Sequence, residues 1–233
     1  MAEVYDTTRF GQLYYASRQP SSDQLGLAAT HVTAWLNHYK LPNAIIGGWA
    51  VFLRGGKRQT LDVDLTVATT MPYLKSILLL DRRICFPLTH GSTSVQIFVW
   101  VGRSFDTSAP NTPDYAVSMD LVLSGNLDIP ASLHGACENI TPVVNTPHGG
   151  SAMVLNVFYQ LYAKFSAFSR RGTTSDNDFN DLVFLLNKHA NELPSLRQSL
   201  NIDQRRSFLQ TYSQKYVGYN ESITYMKRLL GLE

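Results

Sequence analysis

Ala44-Ile-Ile-Gly-Gly-Trp-Ala-Val-Phe-Leu-Arg-Gly-Gly-Lys-Arg-Gln-Thr-Leu-Asp-Val-Asp-Leu-Thr-Val67 is the stretch on which the fold turns. A short apolar strand leads into the Gly47-Gly48 turn, an amphipathic helix follows, and Leu61 to Val67 read as an Asp-apolar-Asp strand. Alternate residues of a strand share a face, so Asp62 and Asp64 point the same way. Two carboxylates side by side repel each other unless a cation sits between them. The Gly-Gly turn stands at a helix start, where free backbone amides attract anions. Divalent metal and phosphate together are the equipment of phosphoryl or nucleotidyl transfer.

Composition sets the bounds around this segment. A chain of 233 residues suffices for one large domain or two small ones. With 44% hydrophobic and 16% charged residues it can bury an ordinary core. A formal charge of +2 neither demands nor forbids a nucleic-acid partner, since a local basic patch is independent of the total. Cys85 and Cys137 have neither metal-type spacing nor the pattern of a disulfide framework, which favours a reducing, cytoplasmic setting while leaving one pairing open. The polar start Met1-Ala-Glu-Val-Tyr-Asp6 has no apolar core of a signal peptide. No apolar run approaches the roughly 20 residues that cross a bilayer, so no membrane partner is expected. The sequons at Asn139 and Asn220 then read as chance matches.

Working outward, residues 1–20 are polar with scattered aromatics and show no clear period. Ser22 can cap a helix to about Tyr39, with Leu25, Ala28, Val32, Trp35, Leu36 and Tyr39 on one stripe. Gly48 to Arg54 suits a short helix closed by Gly55-Gly56. Pro72 opens a further helix ending near Arg82-Arg83. Val95–Val101 and Tyr115–Leu123 read as strands, Ile140–Val144 as another, and 102–114 as a loop. Thr146-Pro-His-Gly-Gly-Ser151 marks a composition break. Beyond it the spacing is helical over about 151–170, 176–190, 203–217 and 221–231. The expectation is an α/β (α+β) domain over 1–150, a small mixed sheet flanked by helices, then a helical subdomain over 151–233.

Gly47-Gly48, a spacer of 13 residues and then Asp62-Val-Asp64-Leu65 resemble the signature of the DNA polymerase β-like nucleotidyltransferase superfamily. The residues themselves agree. Glycines let the backbone approach a triphosphate closely, and paired aspartates suit Mg²⁺, which completes its octahedron with phosphate and water. The family pattern needs a third carboxylate from a neighbouring strand, acting as general base beside one of two metal ions. Asp120, in Val117-Ser-Met-Asp-Leu-Val122, is the best candidate, because a charge in an apolar strand is costly without a partner. Asp114 and Asp128 lie in loop-like sequence and are weaker alternatives. A solvent-facing edge aspartate is the plainer reading of Asp120.

Within the superfamily, Gly47-Gly-Trp-Ala50 followed by Arg58-Gln-Thr60-Leu-Asp62-Val-Asp64 looks most like the abortive-infection toxin nucleotidyltransferases. Lys164, Arg170-Arg171 and Asp178-Phe-Asn-Asp181-Leu182 resemble the helical segment of that group. The resemblance implies that Gly47, Gly48, Arg58, Thr60, Lys164 and Asp178 serve nucleotide binding. Asp62, Asp64 and Asp120 would hold two Mg²⁺ or Mn²⁺ ions and carry catalysis. Asp178 and Asp181, three apart on a helix, share a face and could orient Lys164 or Arg170. An ordinary solvated helix with acids near its start explains the same residues. Two departures matter: Gly48 replaces the serine of many relatives, and Asn177-Asp178 replaces a Lys-Asp pair with one positive charge fewer. Weaker phosphate binding or a different substrate would follow.

The expected activity is transfer of a nucleoside monophosphate from an NTP to an acceptor hydroxyl, with helical residues closing the nucleotide site. RNA such as a tRNA 3′ end, a protein, or a small molecule would be the acceptor; near-neutral charge slightly disfavours a long RNA footprint. The alternative is a catalytically inactive nucleotide-binding or scaffold module on the same fold. Trp49 stacks on a base or packs its helix; the residues leave both open. His148-Gly-Gly-Ser151 suits a linker better than an anion site. His90, His134 and His189 share no ligand spacing, which speaks against zinc. Ser92, Ser94 and Ser118 have no Gly-x-Ser-x-Gly setting, so serine hydrolase chemistry lacks support. Oligomeric state leaves no trace in the sequence.

Overall fold

Residues 1–143, 150–171 and 176–233 are described by the computed structural model. The expected reading of His148, and the far end of the strand expected at Val144, lie outside these residues. The chain divides into two compact units, Met1–Leu155 and Asn156–Glu233.

The first unit is a mixed α/β layer. Its strands are β1 (Glu3–Tyr5), β2 (Asn43–Ile46), β3 (Val63–Val67), β4 (Ile84–Pro87), β5 (Ser94–Val101), β6 (Tyr115–Leu123), β7 (Cys137–Ile140) and β8 (Ala152–Leu155). They form one sheet in the order β1-β4-β5-β6-β3-β2-β8-β7. β3 and β6 run parallel at its centre, while β2 and β5 flank them antiparallel. The helices are α1 (Thr7–Ala16), α2 (Ser22–His38), α3 (Gly47–Leu53) and α4 (Met71–Leu78). Leu25, Ala28, Val32 and Leu36 of α2 are buried in the same core as Val63, Leu65, Val99 and Leu121 of the sheet. The helical stripe read from the sequence is thus the face laid on the sheet.

Several boundaries moved for local reasons. Ser21, not Ser22, caps α2: its Oγ accepts from the Gln24 amide at 3.2 Å while Gln24 Oε1 accepts from the Ser21 amide at 2.9 Å. This reciprocal box satisfies two otherwise orphaned amides. β3 begins at Val63, so Asp62 stands just before the strand rather than within it. The helix expected over 151–170 starts only at Val157, and Ala152–Leu155 pair with β2 and β7 as a strand. The strand expected over 140–144 lies earlier, at Cys137–Ile140. No period or motif in the sequence marks β1, α1 or β4. Cys85 and Cys137 are both free thiols, which settles the open pairing.

The second unit is helical: α5 (Val157–Arg171), α6 (Asp176–Lys188), the short α7 (Leu193–Leu196), α8 (Ile202–Lys215) and α9 (Asn220–Leu230). Its centre is Phe208, whose ring lies 5.8 Å from Phe165, 5.8 Å from Phe168 and 5.3 Å from Phe179. One side chain from α8 therefore ties α5 to α6. Truncating such a residue to alanine costs about 3–5 kcal/mol. No helix among the described residues is long and apolar enough to cross a membrane.

Candidate active site

β3 and β6 bring the carboxylates together. In their parallel register Asp64 lies opposite Asp120, and Gln96 of β5 lies opposite Asp120 on the other side. Asp62 joins from the bend before β3. One carboxylate oxygen from each of Asp62, Asp64 and Asp120 lies within 4.8 Å of the others. All three residues are partly buried. Burial, reinforced by the negative charge of Asp62, pushes the Asp120 carboxyl up to about 6. A carboxyl raised in this way is one for which a bound cation would compensate the neighbouring charges.

The Gly47-Gly48 turn is shaped by the same residues. Gly47 has φ of +64°, and a Cβ built there would stand 1.9 Å from Asp64 Oδ2. Both the left-handed backbone and the carboxylate against it exclude a side chain at 47. At Gly48 a Cβ would meet Arg58 Nη2 at 2.5 Å and Thr60 Oγ1 at 3.0 Å. Gly48 therefore makes room for Arg58 and Thr60. Thr60 is buried, and its hydroxyl donates to Asp62 Oδ1 at 2.9 Å. A charge-assisted bond of this kind fixes the carboxylate's rotamer.

The structure thus gathers Gly47, Gly48, Arg58, Thr60, Asp62 and Asp64, at the end of β2 and the start of β3, beside Asp120 within β6. Asp114, one of the weaker alternatives, is occupied elsewhere, accepting from the Ser104 amide and hydroxyl. Trp49 resolves toward packing: it is 1% exposed and stacked on Phe52 at 5.0 Å. Gln96, beside Asp120, is the polar residue inside the apolar run Val95–Val101, which is the signal the sequence offers for it. Its Nε2 donates to Ser118 Oγ at 2.8 Å. Tyr5 Oη donates to the Gln96 carbonyl at 2.8 Å, and burial first, then the Cys85 and Asp120 charges, raise its phenol.

In the second unit Lys164 and Asp178 meet each other. Lys164 Nζ lies 3.1 Å from Asp178 Oδ1 and 2.7 Å from Asp181 Oδ2. Arg171 Nη1 lies 2.8 Å from Asp178 Oδ2. Asp178 and Asp181 are each 1% exposed, so this is a buried charge cluster and not the solvated helix that the same residues also allowed.

Three carboxylates with hard oxygen donors fit a divalent cation, either Mg²⁺ or Mn²⁺. No protein-family profile and no curated protein matches the chain. Among solved structures it is similar to an antigenic nucleotidyltransferase-like protein from Paracoccidioides brasiliensis, at 18% identity over 89% of this chain and 94% of that one, with a TM-score of 0.60. JHP933 from Helicobacter pylori aligns at 13% identity over 89% and 90% of the two chains, with a TM-score of 0.47. The antibiotic-resistance factor ANT(2'')-Ia aligns at 14% identity over 87% and 99%, also at 0.47. The first of these likenesses shows the fold alone: a mixed sheet flanked by helices and followed by a helical region.

Proposed function

We propose that the chain is a metal-dependent nucleotidyltransferase that moves a nucleoside monophosphate from an NTP to an acceptor hydroxyl. The observation that carries this reading is the meeting of Asp62, Asp64 and Asp120 within 4.8 Å, beside a glycine turn that no side chain could occupy at Gly47. A divalent cation held by these carboxylates supplies charge neutralisation for the triphosphate and favours ionisation of the attacking hydroxyl. The amides of Gly47 and Gly48 donate to the β- and γ-phosphates, and Arg58 neutralises charge that develops as the leaving group departs. Thr60 keeps the Asp62 carboxylate turned toward the site. Asp120 takes the acceptor's proton. The acceptor oxygen bonds to the α-phosphorus, the bond from that phosphorus to the bridging oxygen breaks, and pyrophosphate leaves.

Labelled ATP, GTP, CTP and UTP, each offered with Mg²⁺ or Mn²⁺ to RNA, protein and aminoglycoside acceptors, test the reading. Transfer of label with release of pyrophosphate, lost in Asp64→Ala, is the expected result. A folded protein that binds metal and NTP but transfers nothing to water or to any acceptor indicates the inactive nucleotide-binding module instead. One that binds no NTP at all rejects both.

A further inference from the structure

Asp120 has a carboxylate neighbour on one side and an amide on the other. In the sheet order β5-β6-β3-β2 it is the register partner of Asp64 on β3 and of Gln96 on β5. Directly opposed residues of antiparallel strands share a face, with Cβ atoms about 4.5–5.5 Å apart. Gln96 and Ser118 therefore stand on the carboxylate face, while Val95, Ile97, Val117 and Met119 lie in the core shared with α2. Further along the carboxylate face, Phe98 and Ala116 are sealed by Tyr5 and Leu13. Between that apolar cluster and the carboxylates lies a polar patch made of half-buried Gln96 and buried Ser118.

The proposed reaction has a direction across the sheet. Gly47, Gly48, Arg58 and Thr60 all adjoin Asp62 and Asp64, so the departing pyrophosphate lies on the β2–β3 side of Asp120. Attacking and leaving oxygens are roughly in line across the transferred phosphorus. The attacking hydroxyl therefore approaches from the β5 side, where Gln96 is the first side chain beyond Asp120.

Hydrogen bonding in the patch is half complete. Gln96 Nε2 donates to Ser118 Oγ at 2.8 Å, which pins the amide. Gln96 Oε1 accepts no hydrogen bond among the described residues and is not a buried orphan, so solvent reaches it. The Ser118 hydroxyl proton likewise goes to no partner among the described residues. An uncharged oxygen that can accept and an uncharged hydroxyl that can donate are thus left beside Asp120. A second hydroxyl next to the attacking one matches both, because a hydroxyl donates and accepts. A lone hydroxyl would leave Gln96 Oε1 desolvated and unpaired, the mismatch that a hydrogen-bonding site rejects most strongly.

We propose that Gln96 selects the acceptor substrate and that it selects a vicinal diol: one hydroxyl attacks while its neighbour donates to Gln96 Oε1 and accepts from Ser118. The ribose at an RNA 3′ end and a free sugar both carry this group; a serine, threonine or tyrosine side chain does not. The inference rests on the transferase reading and narrows its acceptor.

The full chain with Mn²⁺ and labelled NTPs is offered matched acceptors. These are a short RNA ending in ribose, 2′-deoxyribose or 3′-deoxyribose, methyl ribofuranoside with its 2-deoxy and 3-deoxy forms, and casein. One diol is expected to take label about tenfold or more faster, as kcat/KM, than the better of its deoxy forms. Whether the RNA or the sugar series shows this preference identifies the source of the diol. Gln96→Met, of similar size, is expected to shrink the preference to about twofold or less, with Kd for the Mn²⁺–NTP moved by less than about twofold. Gln96→Glu keeps an accepting oxygen at the same reach and is expected to retain the preference. Ser118→Ala, which unpins the amide, is expected to raise KM for the diol without changing Kd for the Mn²⁺–NTP. Equal transfer by the parent to diol and deoxy forms, faster transfer to casein, or an unchanged preference in Gln96→Met overturns this proposal and leaves the transferase reading standing. No transfer by the parent to any acceptor, with NTP still bound, rejects the transferase reading and this proposal with it.

Discussion

Asp64 and Asp120 are register partners on adjacent parallel strands, β3 and β6. Their proximity is a property of the sheet and not of side-chain flexibility. Both carboxylates are held by backbone pairing before any ligand arrives, which is the preorganisation that an electrostatic site requires.

The first prediction concerns the cost of that arrangement. In EDTA at pH 8, Asp120→Asn is expected to melt higher than the parent. The change removes a partly buried charge repelled by Asp62, the two causes that push the Asp120 carboxyl up to about 6. Allowing for partial exposure, the gain should be about 1–2 kcal/mol. The same variant should lose its thermal stabilisation by Mn²⁺ and nearly all transfer activity. Melting curves with and without Mn²⁺ check both, and a variant less stable than the parent in EDTA would contradict the reading.

Gly47 and Gly48 should respond very differently to alanine. At Gly47 the new Cβ meets a carboxylate oxygen at 1.9 Å on a left-handed backbone. Strain in the backbone alone is worth about 1 kcal/mol or more, and displacement of Asp64 should abolish Mn²⁺ binding. At Gly48 the closest atom is the far end of the Arg58 side chain at 2.5 Å, which can move, although Thr60 at 3.0 Å must give slightly. Gly48→Ala should therefore fold with a loss below about 1 kcal/mol and keep Mn²⁺ binding. Calorimetric titration of the two variants with Mn²⁺ distinguishes them.

How much of this was legible in the sequence follows from which residues carry an isolated signal. Gly47-Gly48, Asp62-x-Asp64 and a lone aspartate in the apolar β6 are conspicuous because each breaks a pattern. Their convergence follows once β2, β3 and β6 are neighbours. β4 and β8 were not legible. Ile84–Pro87 and Ala152–Leu155 are four-residue apolar runs, and such runs show no alternation to separate a buried strand from a helix turn. β8 also abuts a genuine helical period, which absorbed it. Asp178 and Asp181 were ambiguous because acids near a helix start are favourable whether buried or solvated. Only tertiary contact with Lys164 decides between the two. The bond from the Thr60 hydroxyl to Asp62 is a two-residue relation that depends on the bend before β3, and so leaves no pattern in the sequence.

Asp81 should govern part of the acid stability. It is buried and accepts from His31 Nε2 at 2.5 Å and from the Arg83 amide at 2.9 Å. Burial alone would raise its carboxyl, but these two hydrogen bonds and the charges of His31 and Arg83 outweigh burial and hold it below the usual range. A carboxyl lowered in the folded state contributes stability above its unfolded value, about 3.9. That contribution disappears as pH falls from there through the lowered folded value. Asp81→Asn should therefore be less stable than the parent at pH 6, with the gap closing below about pH 4. Urea unfolding at the two pH values checks it; a gap that stays constant would show that Asp81 acts through packing alone.

The Lys164 cluster makes the sharpest stability prediction in the helical unit. Asp178 and Asp181 are each 1% exposed, and Lys164 is 8% exposed between them. Surface ion pairs contribute about 0–1 kcal/mol, so a solvated cluster would tolerate loss of its lysine. A buried one would not, because removing the cation leaves two carboxylates of like sign in a poorly solvated setting. Lys164→Met preserves the aliphatic stem and deletes only the charge. It should cost about 3–5 kcal/mol, the range for breaking a buried pair. Arg171 also reaches Asp178, from an exposed position at 2.8 Å. Adding Asp181→Leu to Lys164→Met should recover part of that stability, since it replaces both members of the 2.7 Å Lys164–Asp181 pair by apolar groups. Denaturant unfolding followed by circular dichroism measures the single and double variants side by side. A double variant no more stable than Lys164→Met alone would mean that the methionine's packing, and not the lost Lys164–Asp181 pairing, sets the cost.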